Sequence, residues 1–243
     1  MSYDVFARYY DELMQNVEYE EIADKISAWI SEYRPQTKLL VDLACGTGTL
    51  ASLMSEKGYD VIGIDSSADM LMTARGKCPP EVLLLCQSMD EIDLYGTIDA
   101  VICTLDSINH VTDKDTVGTI FKKVSLFLEN NGIFVFDVNT AYKHEHILAD
   151  SSYIIETENV FCAWQNTYED GLVNITLDFF EEEDGVYYRS SEYFSERAYT
   201  DDEIRAMLEE ADLEVIDVKD GYSDNEPCDT TQRLVYITKR KSR

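Results

Sequence analysis

Three observations predict an α/β fold built on a mostly parallel sheet. Short apolar strands alternate with capped helices over residues 38–138. Two closing strands follow each other with no helix between them, and aromatic-rich segments over residues 153–197 are joined by Asp-Gly pairs. The alternation implies right-handed βαβ units with helices on both faces of the sheet. The closing pair requires an antiparallel edge, and the Asp-Gly segments imply a small antiparallel insertion.

The elements follow in order. Residues 1–33 carry Phe6, Tyr9, Tyr10 and Leu13, then Ile22, Ile26, Trp29 and Ile30, at helical spacing. Arg34-Pro35 ends that segment, because the residue before proline is pushed out of the α region. Lys38–Leu43 reads as a first strand, and Thr49–Lys57 as a helix stopped at Gly58. Val61–Ile64 is a second strand, after which Ser66-x-x-Asp69 forms a capping box. Val82–Cys86 and Ala100–Thr104 are the third and fourth strands. Thr112-x-x-Asp115 caps a helix bearing Ile120, Phe121, Val124 and Leu128, which Asn131-Gly132 ends. Ile133–Val138 is the fifth strand. Residues 153–169, 172–182 and 186–197 read as three antiparallel strands turning at Asp170-Gly171 and Asp184-Gly185. Thr200-x-x-Glu203 caps a last helix, and Glu214–Lys219 and Leu234–Thr238 close the chain. The expected division is a core of residues 1–150 and 198–243, interrupted by an inserted sheet over 151–197.

Composition narrows the function. Twenty Lys and Arg against 48 Asp and Glu give a net charge of −28. A polyanion meets repulsion at such a surface, which disfavours nucleic acid; only the tail Lys239, Arg240, Lys241 and Arg243 is locally basic. The six cysteines form no C-x-x-C pair and no zinc spacing, so no metal site is expected. Several lie in apolar runs as buried thiols, which suits a reducing cytosol. The N-terminus lacks a signal pattern, and no apolar stretch reaches the length of a membrane span. A cytoplasmic location is the expectation.

Val41-Asp42-Leu43-Ala44-Cys45-Gly46-Thr47-Gly48 runs from a strand through small residues into a helix. Such a turn lets backbone approach a ligand closely and aims helix N–H groups at it. Gly46-x-Gly48-x-x-Ala51 also fits the dinucleotide fingerprint, and Asp65 after the second strand suits the ribose of either cofactor. Two features separate the readings. Asp42 would repel a pyrophosphate but favour a cationic sulfonium or ammonium. The antiparallel closing strands are not how a dinucleotide fold usually ends.

Asp42 to Gly48, Asp65-Ser66-Ser67-x-x-Met70-Leu71 and the closing helix and strands together resemble the class I S-adenosylmethionine-dependent methyltransferases over nearly the whole chain. Within them the chain resembles the small-molecule branch with an antiparallel β insertion, which includes sugar N-methyltransferases. The resemblance implies a Rossmann-like seven-stranded sheet in the order 3-2-1-4-5-7-6, with strand 7 antiparallel. It implies S-adenosyl-L-methionine as cofactor, with Ala44, Cys45, Gly46 and Gly48 along its methionine part. Asp65 would take the ribose hydroxyls, and Ser66 and Met70 would lie beside the adenosine. Ser88 and Met89 would meet the adenine, Leu105 and Asp106 would face the methionine end and the substrate, and Tyr10 would cover the cofactor. Ala44 stands where glycine is frequent, so φ there is expected to stay negative. Ser88 replaces a frequent aspartate, with Asp90 as a neighbouring substitute.

Methyl transfer from a sulfonium needs positioning above all, and a base only if the nucleophile must lose a proton. His110, in the loop after the fourth strand, is the candidate base. Trp164, Tyr168, Arg197 and Tyr199 of the insertion and its exit are candidate substrate contacts around an amine or a sugar. The same aromatics would also serve cross-strand packing or a homodimer interface. The expected function is therefore methylation of a small molecule at N or O, a cationic amine suiting the acidic charge unless the pocket floor is basic. A non-catalytic S-adenosylmethionine-binding protein and an NAD-dependent oxidoreductase are the competing readings.

Overall fold

A computed structural model describes residues 4–242. The first residues of the predicted opening helix and the last residue of the basic tail, Arg243, lie outside them. Helices α1 (Asp4–Leu13) and α2 (Tyr19–Tyr33) precede β1 (Leu39–Leu43), α3 (Thr49–Glu56), β2 (Asp60–Asp65), α4 (Ala68–Lys77) and β3 (Leu83–Cys86). Then come β4 (Ile98–Cys103), α5 (Lys114–Phe127), β5 (Leu128–Asn139) and the short α6 (Ala141–Lys143), which continues as a π-helical turn over His144–Leu148. Strands β6 (Ser152–Glu156), β7 (Val160–Glu169), β8 (Leu172–Glu183) and β9 (Val186–Arg197) form the insertion. Helix α7 (Asp201–Glu210), β10 (Leu213–Asp220) and β11 (Arg233–Arg240) end the fold.

The main sheet has the order β3-β2-β1-β4-β5-β11-β10. Strands β1 to β5 pair in parallel, while β11 runs antiparallel to both β5 and β10. This is the order 3-2-1-4-5-7-6 with strand 7 reversed. Alternation along β5 feeds two cores, since successive side chains point to opposite faces. Phe134 and Phe136 join Phe121 and Tyr236 on one face, with ring centroids 4.7 Å apart for Phe134–Phe136 and 5.0 Å for Phe136–Tyr236. Ile133 and Val135 point the other way, to Ile26, Leu50 and Met54 beneath α2 and α3.

The insertion has four strands, β6-β7-β8-β9, rather than the three expected. The segment read as one strand folds back at Thr157, whose Oγ1 accepts from the amides of Asn159 (3.2 Å) and Val160 (3.1 Å). A side-chain-closed turn of this kind carries no Asp-Gly signature. The two Asp-Gly turns form as expected, with φ of 52° and 79° at Asp170-Gly171 and again at Asp184-Gly185. Two caps sit one residue later than expected: Ser67 accepts from Met70 N–H, and Asp113 from Thr116 N–H. The Thr200–Glu203 capping box is complete. Helix α5 stops at Phe127, before Asn131-Gly132, because Leu128 already pairs with Ile98 of β4.

A third apolar cluster ties the two sheets together. Phe6, Ala7 and Leu13 of α1 and Met70 of α4 pack with Cys162, Leu177, Phe179 and Phe194 of the insertion. Among the described residues, no helix is long and apolar enough to cross a membrane.

Candidate functional site

The glycine turn opens from the carboxyl end of β1, where an open α/β sheet offers a crevice. Gly46 and Gly48 adopt φ of +53° and +77°, and Gly48 caps the N-terminus of α3. Ala44 has φ +60°, against the negative value expected. The turn therefore holds an alanine in the left-handed region, at a cost of about 1–2 kcal/mol. Replacing Ala44 with glycine removes that strain but adds unfolded-chain entropy worth about 0.4–1 kcal/mol. A net gain of up to about 1.6 kcal/mol is expected in denaturant unfolding; a loss of stability would show that the methyl group packs usefully.

Tyr10, Asp42, Ala44, Cys45, Gly46 and Leu105 surround one small pocket, as the sequence reading grouped them. Tyr19, Thr47, Thr49, Thr104 and Ser107 share it and were missed. Tyr10 and Tyr19 hydroxyls bond to each other, and burial is the main cause that raises both phenol pKa values, that of Tyr19 to about 12. Asp65 lies just outside this pocket. Its Oδ2 accepts from Gly46 N–H (2.8 Å) and its Oδ1 from Ser67 N–H (2.8 Å), so it fixes the loop and keeps lone pairs on both oxygens. Ser66 is exposed at the mouth, and Ser88 Oγ donates to Asp90. Met89 packs partly buried against the core, with its sulfur 3.9 Å from Cys103 Sγ. Met70 departs from its expected place beside an adenosine: its side chain is buried with α1 and the insertion.

Asp42 is buried, and its Oδ2 has no partner among the described residues. Burial, reinforced by the Asp65 carboxylate, pushes its acid up to about 8, against a weaker opposing bond from Ala51 N–H. The folded pKa exceeds the unfolded value of 3.8, so the native state holds this proton more tightly. Stability of the ligand-free protein is therefore lost as pH rises from about 4 to about 8, by at most ~1.4 kcal/mol per pH unit. Asp42→Asn abolishes that slope. Thermal melts at pH 5 and pH 8 check this, the variant gaining on the wild type at the higher pH; parallel curves would refute the burial argument.

A cleft of about 1360 Å³ meets this pocket at Leu105, which lines both. Asp106, Asn139, Lys143, Glu196 and Arg233 form its floor, Trp164 a wall, and Glu12, Glu156 and Glu158 its rim. The floor is not basic: Arg233 bridges Asp106 and Asp137, and Glu196 lies beside them. Asp137 also accepts from Leu105 N–H (2.7 Å), Asp106 N–H (2.6 Å) and the Tyr222 hydroxyl. These bonds hold Leu105 and Asp106 at φ of +54° and +56°. Burial opposes ionisation of Asp106, but Arg233 above all, then Lys143 and His110, keep its acid below the ordinary range.

His110 does not line the cleft; it stands behind Asp106 and Glu196, with Nε2 4.0 Å from Glu196 Oε1 and its ring against Phe194. His144 is fully buried, with Nε2 3.3 Å from Glu196 Oε2. Asp106, His110 and Glu196 each bring one ligand atom within 4.8 Å of the others, a grouping that chain spacing did not show. Arg233 and Lys143 already supply positive charge beside Asp106, so these residues form an acid–base cluster.

Of the four expected substrate contacts, only Trp164 lines the cleft, its indole N–H bonded to Asn166 (2.6 Å). Tyr168 sits to one side with its hydroxyl 3.4 Å from Glu145. Arg197 and Tyr199 are corrections. Arg197 donates to Thr112 O (3.1 Å), and Tyr199 is buried in the main core with its hydroxyl on Val111 O. Both brace the loop that carries His110. Tyr187, Tyr188 and Tyr193 face solvent.

The family described as "Methyltransferase domain" matches residues 40–132, from β1 to the start of β5. A putative methyltransferase of Bacillus subtilis, YqeM, is 33% identical over 97% of this chain and 96% of its own length. The crystal structure of an S-adenosylmethionine-dependent methyltransferase from Clostridium acetobutylicum superposes with a TM-score of 0.89 at 32% identity, covering 99% of each chain. A glycine/sarcosine N-methyltransferase of Halorhodospira halochloris is 28% identical, over 80% of this chain and 73% of its own.

Proposed function

This chain belongs to the class I S-adenosylmethionine-dependent methyltransferases, with S-adenosylmethionine as its methyl donor, and we propose that it methylates a small molecule at an amine nitrogen. The observation that carries the reading is the meeting at Leu105 of a glycine-loop pocket and a carboxylate-floored cleft. Ala44 to Gly48 would hold the methionine part of the donor, and the unpaired Asp42 oxygen would answer its ammonium. The acceptor enters the cleft, where Asp106 and Glu196 attract an amine. Glycine, acted on by the relative from Halorhodospira halochloris, is such an amine.

In the transfer, the nitrogen lone pair forms the N–C bond as the S–C bond breaks, and its electrons return to sulfur. The sulfonium is a strong leaving group, so alignment supplies most of the rate. The alkylated nitrogen then sheds a proton. His110, braced by the Arg197 and Tyr199 bonds to its loop and flanked by Glu196, is placed to take that proton through the carboxylate.

The pocket below Tyr10 and Tyr19 has about 40 Å³ of open space, far less than the donor occupies. Tyr10 and Tyr19, which line it, therefore give way to admit the donor. Asp11 accepts from Thr47 Oγ1 (2.6 Å) and Lys77 Nζ (2.7 Å), so the closed position is pinned to the glycine loop itself.

S-adenosylhomocysteine release, measured over matched amines and alcohols, tests the proposal. Turnover with amines supports it; turnover with alcohols alone would assign O-methylation. Asp65→Ala is expected to weaken S-adenosylhomocysteine binding by about 1–3 kcal/mol in calorimetric titration. Unchanged affinity would show that another group holds the ribose.

A further inference from the structure

The cleft floor holds two cations of unlike standing. Arg233 is committed, one arm on Asp106 and the other on Asp137. Lys143 also lines the cleft, but no carboxylate of the described residues lies within ion-pair distance of its ammonium. Its one hydrogen bond among them goes to Asn139 Oδ1 (2.9 Å), a neutral acceptor. An ammonium has three donors, so two point away from that bond. Burial, and then the neighbouring guanidinium, draw its proton affinity below the ordinary lysine value, against the opposing pull of the Asp106, Glu196 and Asp137 carboxylates beyond ion-pair distance. The floor thus places an ammonium with two uncommitted donors beside the carboxylates that attract an amine. We propose that Lys143 receives an anionic oxygen group of the methyl acceptor, so that the acceptor is a small amine that also carries a carboxylate or a phosphate.

This inference rests on the amine reading above, and it adds a second point of attachment. One group orients the nitrogen at Leu105 and the other anchors the far end at the start of the π-helical turn. Lysine is a compact point charge without the planar fork of arginine, so it accommodates either oxyanion.

The test uses the full chain saturated with S-adenosylhomocysteine and titrated separately with inorganic phosphate and acetate, with sodium chloride at matched ionic strength as reference. The thermal midpoint should rise with one or both oxyanions beyond the chloride reference, the stronger of the two assigning the group. K143R, which keeps the charge, should retain the response. K143Q, which keeps a donor toward Asn139 but no charge, should weaken it at least tenfold. An equal response in K143Q, or no response beyond chloride in the wild type, overturns the proposal. The amine reading is judged separately, by release of S-adenosylhomocysteine with neutral amines. Loss of one result does not entail loss of the other.

Discussion

Replacing Arg233 with methionine is expected to lower stability by about 3–5 kcal/mol, the scale for removing one partner of a buried ion pair. Asp137 is fully buried and Asp106 partly so, and both lose the guanidinium at once. The hydrogen bonds from Leu105, Asp106 and Tyr222 to Asp137 remain, but they now converge on a carboxylate without a cation. For a chain of 243 residues this corresponds to a fall of roughly 6–20 °C in melting temperature. Adding Asp106→Asn should recover part of the loss, because one of the stranded charges is then gone. A fall below about 1 kcal/mol would show that water reaches the carboxylates and replaces the guanidinium.

Gly48→Ala is expected to cost roughly 2–5 kcal/mol, the sum of left-handed backbone strain and overpacking. At φ +77° a Cβ would come within 2.6 Å of Cys78 Sγ and 2.9 Å of Ala74 Cβ. Neither neighbour has room to retreat, since Ala74 is fully buried in the core under α2 and Cys78 packs beside it. The loop must shift instead, and donor binding by titration should fall at least tenfold, the equivalent of about 1.4 kcal/mol. Cys78→Ala in the same chain removes the closest contact and should restore the steric share while leaving the backbone share. Gly76→Ala, in helix α4 with nothing within 4 Å of the added methyl, serves as the neutral control. If Gly48→Ala bound the donor normally, the close approach of α3 to α4 would not be what shapes the pocket.

The sheet was legible because periodicity and capping residues act locally. Strands β1 to β5 and the reversed closing pair lie where apolar runs and turn residues place them. The glycine turn was legible for the same reason: strand, small residues and helix are consecutive. What escaped was made by distant parts of the chain. Arg233 and Asp137 are 96 residues apart, and neither belongs to a motif. Lys143 and Glu196 are brought together by an α6 too short to show a helical period and by a strand whose inward residues include a charge. Asn139 alone was within reach, since it ends β5 on the side where open sheets bind ligands. Tyr199 misled because an aromatic near an insertion looks like a contact surface, whereas its hydroxyl had a backbone carbonyl to meet. Ala44 misled because an L-residue with positive φ is rare enough to be discounted.

Helix α1 is held on one side by the glycine loop and α4, through Asp11 and Met70, and on the other by the inserted sheet. Arg8 and Tyr9 bond Glu181, and Glu12 bonds Thr157 and Asn159, across separations of 145 to 173 residues. Such contacts form only when the intervening chain has already found its place, since closing a long loop is rewarded late in folding. The contacts of α1 with the insertion are thus among the last to settle. Releasing α1 breaks those polar links and uncovers Phe6, Ala7 and Leu13, but leaves the two cores of the seven-stranded sheet in place. Its detachment spares the two larger cores and therefore costs less than global unfolding. On the proposed reading, the donor's way in and out would follow a local equilibrium of this helix rather than unfolding of the seven-stranded sheet.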